Sequence, residues 1–152
     1  MFSKKEAKEI RLEFWNQFKK WSATLRAKKG KKGRWIMNDT GIKQVKLKFH
    51  FDKNIALTGI EIDTRNLEKR IALWEKFISL RKALNEKADF PIQWEKEYIL
   101  ENQKTVSRIF SRLDNVNIYK REDWKKVNSF LYKTMTLYED FFLEFCDYIK
   151  YQ

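Results

Sequence analysis

Residues 43–63, KQVKLKFHFDKNIALTGIEID, decide how the chain folds. Val45, Leu47, Phe49 and Phe51 alternate with Gln44, Lys46, Lys48 and His50. That two-residue period marks a strand with one face in a core and one in water, over Lys43 to Asp52. Asp52-Lys53-Asn54 supplies turn chemistry, and Ile55 to Asp63 reads as the returning strand of a hairpin. Gly59, in mid-strand, predicts a bulge or a close approach of backbone.

The flanks of this hairpin have the period of helices. Upstream, Ser3 and Glu6 form a capping-box pattern, and Ile10, Phe14, Phe18, Trp21 and Leu25 share one face of a helix running to about Lys28. Leu12 and Trp15 lie off that stripe and predict a second contact surface. Downstream, Asp63 or Thr64 is expected to cap a helix whose stripe is Leu67, Ile71, Trp74, Phe77, Ile78 and Leu84, ending near Lys87. Asp89-Phe90-Pro91 stops it. Ile92 to Glu95 and Lys104 to Leu113 are expected strands, the second with poor alternation. Asp114-Asn115 turns the chain into a last helix from about Asp123 to Ile149, whose wide aromatic stripe suits packing onto a sheet better than a coiled coil. The order α-β-β-α-β-β-α predicts an α+β fold: an antiparallel sheet of about four strands, with the hairpin at its centre, packed against three helices.

Composition agrees with one domain over residues 1–152. Hydrophobic residues make up 43% and aromatic residues 16%, enough for a core, and 4 Gly with 1 Pro exclude collagen-like and Pro-rich classes. Cys146 is the sole cysteine and His50 the sole histidine, so neither an internal disulfide nor a Cys/His zinc site can form within one chain. No apolar run approaches the roughly 18 residues of a membrane span, and Met1-Phe2-Ser3-Lys4-Lys5-Glu6 lacks the apolar stretch of a secretion signal. A cytoplasmic protein without a membrane partner is expected.

Charge is unevenly placed. The net charge is +12. Residues 1–53 hold 16 Lys/Arg against 5 Asp/Glu, a net of +11, while residues 54–152 hold 17 against 16. A field this lopsided attracts polyanions, of which nucleic acid is the commonest inside a cell. Lys28, Lys29, Lys31, Lys32 and Arg34 crowd a glycine-bearing segment expected to be a mobile basic loop over about 28–41. Trp35 at its end is either a base-stacking ring or a hydrophobic anchor, with the anchor favoured. Lys46 and Lys48 add charge on the polar face of the hairpin, so these eight residues form the expected nucleic-acid site. Gly30-Lys31-Lys32-Gly33 lacks the spacing and the Gly-Lys-Ser/Thr ending of a phosphate-binding loop.

Catalytic signals are sparse. Metal-dependent nucleases place carboxylates beside a lysine on a strand to hold a divalent cation. Gln44-Val45-Lys46 lacks the carboxylate, and Glu61 with Asp63, two residues apart, is the weak remaining pair. His50 has no evident partner, and Cys146 sits between acidic neighbours that disfavour a thiolate. No catalytic residue, metal or cofactor is assigned. A protein-interaction or oligomerisation role for the aromatic last helix is the alternative to nucleic-acid binding, and a divergent metal-dependent nuclease the weaker one.

Arg11-Leu12-Glu13-Phe14-Trp15-Asn16-Gln17-Phe18, the hairpin Val45–Asp63, Ile92-Gln93-Trp94-Glu95, Ser107-Arg108-Ile109 and Arg121-Glu122-Asp123-Trp124 together resemble the DUF4268 family, a prokaryotic domain of unknown function. The resemblance spans about residues 10–149. It implies an α+β domain found alone or behind a predicted nuclease-like domain, and hence an accessory that binds beside a nuclease or another DNA-processing enzyme. It carries over no catalytic residues.

Overall fold

A computed structural model describes residues 2–31 and 33–151. Helix α1 (Lys4–Lys28) opens on the expected capping box, the Ser3 hydroxyl accepting from the Glu6 amide while the Glu6 carboxylate accepts from the Ser3 amide. Strands β1 (Val45–Phe51) and β2 (Ile55–Ile62) make the hairpin, with Lys46 opposite Glu61 and Lys48 opposite Gly59. Helices α2 (Leu67–Ser79) and α3 (Arg81–Lys87) follow, then β3 (Gln93–Ile99), β4 (Thr105–Asp114), a single 3-10 turn at Arg121–Asp123, and α4 (Trp124–Lys150). The sheet is antiparallel in the order β1-β2-β4-β3. This is the α+β architecture and element order that the patterning predicts, but the hairpin is not central: β1 is an edge strand, and the inner pair is β2 with β4.

Two hydrophobic clusters hold the layers together, and α4 runs through both. Its first half (Trp124, Val127, Leu131) packs with Ile10, Phe14 and Phe18 of α1 and Phe51 of the hairpin. Its second half (Met135, Tyr138, Phe141, Phe142) closes over Leu47, Ile60, Ile109 and the Trp74–Phe77 face of α2. Burying a side chain of this size contributes roughly 1.5–3 kcal/mol, so the long last helix is the principal brace of the domain.

Three local expectations change. The cap of α2 is Asn66, whose Oδ1 accepts from the Lys69 amide. Asp63 is instead drawn into ion pairs with Lys46 and Lys104, and the Thr64 hydroxyl accepts from the Asn66 amide. The expected single helix to Lys87 is broken at Leu80, where the Ser79 hydroxyl donates to the Lys76 carbonyl and competes with the helical ladder. In α1 the buried stripe continues Ile10, Phe14, Phe18 into Ser22 and Arg26, leaving Trp21 38% exposed.

The poor alternation of β4 has a direct cause. As an inner strand it is covered on both sides, with Ile109 in the core and Val106 and Phe110 buried on the opposite face. Gly59 marks a close approach, not a bulge: pairing runs unbroken through it on both sides, and Phe110 of β4 lies against it. The register shift of this sheet is in β3, between Glu95 and Tyr98.

Candidate nucleic-acid interface

The segment after α1 is fastened to the body at several points. Trp35, Ile36 and Met37 pack against the main core. The Met37 carbonyl accepts from the Leu47 amide at 3.0 Å, covering part of the free edge of β1. The Thr40 hydroxyl bonds the carbonyls of Ile42 and Val45. Beneath these contacts lies a buried ion pair. Arg26, 4% exposed, donates from Nη1 to Glu139 Oε1 of α4 at 2.8 Å and from Nη2 to the Arg34 carbonyl at 3.2 Å. The other oxygen of Glu139 accepts from the Ile36 amide at 3.0 Å. A carboxylate buried to 1% exposure thus joins helix, helix and loop, and breaking such a pair by removing one partner costs about 3–5 kcal/mol.

Trp35 occupies the anchor position. Its Nε1 donates to the Ser22 hydroxyl at 3.3 Å, the Arg26 guanidinium lies 4.1 Å from its ring centroid, and Phe49 and Tyr132 meet it edge-on at 5.8 Å each. Lys28 and Lys29 are exposed at the end of α1, with the Lys29 ammonium 5.6 Å from the Tyr132 ring centroid. Arg34 is exposed. Among the described residues no carboxylate lies within ion-pairing distance of these three cations. Lys31 is half-buried and paired with Asp140, with Glu139 at 3.7 Å. Lys32 lies outside the described residues.

Lys46 and Lys48 lie on the outer sheet face as expected, but there they meet carboxylates. Lys46 is 2.9 Å from Asp63 and 3.8 Å from Glu61; Lys48 is 3.2 Å from Glu61. Lys104 reaches Asp63 from β4's side at 3.0 Å. Across the sheet the row continues as Lys46, Glu61, Arg108 and Glu95, alternating in sign. Arg108 bonds Glu95 at 2.9 Å and is flanked by Tyr98 and Phe110, 3.3 and 4.1 Å from their ring centroids. Burial pushes the Asp63 carboxyl up, but its bonds to Lys46 and Lys104 outweigh that and hold it below the usual aspartate range. The hairpin face is therefore an ion-paired lattice, and the pair Glu61 and Asp63 is engaged by lysine ammoniums. Among the described residues no group of three or more His, Cys, Asp or Glu is arranged to hold a metal ion. His50 Nε2 pairs with Asp52 at 2.7 Å on the exposed hairpin end, and the half-buried Cys146 thiol donates to the Leu143 carbonyl.

The domain described as "Domain of unknown function (DUF4268)" matches residues 10–146. The chain belongs to the DUF4268 family. No curated protein and no solved structure matches it. Within this DUF4268 chain the matched span covers both hydrophobic clusters except Ile149, the hairpin and the Arg26–Glu139 pair. No helix among its described residues is long and apolar enough to cross a membrane.

Sequence reasoning missed two features of the site. One is Arg26, which continues the four-residue series Phe18, Ser22 on the buried stripe, but whose charge argued for the surface. The other is a groove of about 980 Å³ between α1 and the segment after it, bordered by Trp15, Phe18, Lys19, Arg34, Trp35 and Phe49. Lys19 is exposed on its rim, again with no carboxylate in ion-pairing distance among the described residues.

Proposed function

We propose that this DUF4268 chain is a non-catalytic nucleic-acid-binding domain whose interface is the end of α1 and the segment that follows it. The observation that carries this reading is the set Lys19, Lys28, Lys29 and Arg34, exposed and without carboxylate partners among the described residues, with Lys19 and Arg34 bordering an aromatic groove and Lys28 and Lys29 at the adjoining end of α1. Unpaired surface cations are the groups that release counterions on meeting phosphates. Lys46 and Lys48 contribute less, because their charge is already matched by Glu61 and Asp63. The setting that fits is accessory binding beside a nuclease or another DNA-processing enzyme.

Fluorescence anisotropy of labelled DNA and RNA strands at 50 to 300 mM salt tests it. Binding that weakens with salt, and weakens further on Lys28→Glu with Lys29→Glu, supports the proposal; no binding to any strand at the lowest salt sinks it. A second reading, association through the end of α4, draws on Leu143 and Tyr151, both more than half exposed. It predicts a mass by light scattering that rises with protein concentration and survives high salt, since apolar burial is unscreened.

A further inference from the structure

Phe49 points to the core side of β1, yet it is only half-buried, because one side of its ring opens into the groove. Its centroid lies 5.1 Å from that of Phe18, 5.8 Å from Trp35 and 6.1 Å from Trp15, so Phe49, Trp35 and Trp15 form one wall, backed by the buried Phe18. The opposite lip is the chain at Gly30 and Gly33, where an added Cβ would meet nothing within 4 Å. The volume, about 980 Å³, is that of a ligand pocket rather than a packing defect. Lys19 and Arg34 stand at the rim, with Asp39 the one acidic residue among the described residues that border it.

An occupant of this groove needs a flat apolar body to lie among the rings and negative charge at its edge to meet the rim. We infer that the groove takes an unpaired nucleobase, with the flanking phosphates held by Lys19 and Arg34, so that the chain binds single strands in preference to duplexes. This rests on the nucleic-acid reading above and specifies its substrate. Aromatic side chains stack on any base face, whereas a base inside a duplex keeps both faces against its neighbours and leaves only phosphates for the rim. Trp35 acts here as part of the wall: Arg26 lies over its ring, so the half-buried Phe49 and Trp15 supply the remaining surface.

The test compares three labelled probes of twelve nucleotides at one salt concentration: single-stranded oligothymidine, the same backbone with abasic sites, and a duplex. The full chain is used with and without Ala27→Phe, at an exposed groove-lining position of α1 where a larger side chain fills the groove from the surface. The single strand is expected to bind about tenfold tighter than the abasic strand and the duplex, the scale of one base–aromatic stack. Ala27→Phe, and independently Ala23→Trp, should erase that difference while salt-dependent binding of all three probes persists. Equal affinity for the three probes overturns the inference and leaves the nucleic-acid reading standing, with the groove assigned to some other occupant. Discrimination that survives both filled grooves overturns the assignment to this site. Absence of binding to every probe removes the underlying reading as well.

Discussion

At Gly59 a Cβ would stand 2.2 Å from the Ile109 carbonyl oxygen and 2.6 Å from Phe110 Cβ. Both atoms belong to a paired inner strand and have nowhere to go. Gly59→Ala is therefore expected to cost about 3 kcal/mol, the upper part of the usual overpacking range, seen as a lower urea midpoint; an unchanged midpoint would show that the strands part easily. Arg26 and Glu139 give a second residue-level prediction. Arg26→Met leaves the Glu139 carboxylate buried without its partner and should cost about 3–5 kcal/mol. Arg26→Met combined with Glu139→Leu should recover a large part of that loss, because no charge is then buried. A double-mutant cycle in urea measures this, and additive losses would refute it.

The elements show which local signals survive packing. Asn66, not Asp63, caps α2, so Asn66→Ala should lower stability by about 1 kcal/mol, read in the urea midpoint. Asp63 has a different role, tying β1 to the start of β4 through Lys46 and Lys104. Its folded pKa lies below its unfolded one. Its contribution is thus complete above the ordinary aspartate range, about pH 4, and is lost as pH falls through the folded value. Asp63→Asn should flatten part of the acid limb of a stability-against-pH curve; curves that run parallel from pH 6 to 2.5 would sink the assignment. Helix α1 was readable in its start and length, since the capping box and the Ile10, Phe14, Phe18 spacing are local. Its last two turns were not. Ser22 and Arg26 go inward only because α4 presents Glu139 there and the following loop presents Trp35.

Over the whole molecule, the basic first third is only partly available to a polyanion. Lys46 and Lys48 are matched by acids from β2 and the end of the hairpin, and Lys31 by Asp140 and Glu139 of α4. With Lys19, Lys28, Lys29 and Arg34 as contacts, log affinity should fall with log salt at a slope of about −3 to −4. Replacing Lys28 and Lys29 by Glu should flatten that slope by about 2. A slope near zero with tight binding would assign the contact to something other than phosphates.

Periodicity was sufficient for the architecture. The alternation of Val45 to Phe51, the turn at Asp52-Lys53-Asn54 and the helical stripes around Phe14, Trp74 and Phe142 are short-range patterns that each element must satisfy to bury one face. The uneven net charge and the lack of an internal disulfide are likewise properties of the sequence alone. Tertiary structure decided what those charges meet. Opposite charges find one another across strands and between helices distant in sequence, as Lys46 finds Asp63 and Arg26 finds Glu139. The aromatic groove depends in the same way on α1, β1 and the intervening segment meeting around Phe49, because a cavity is a relation between surfaces and no single stretch of sequence contains it.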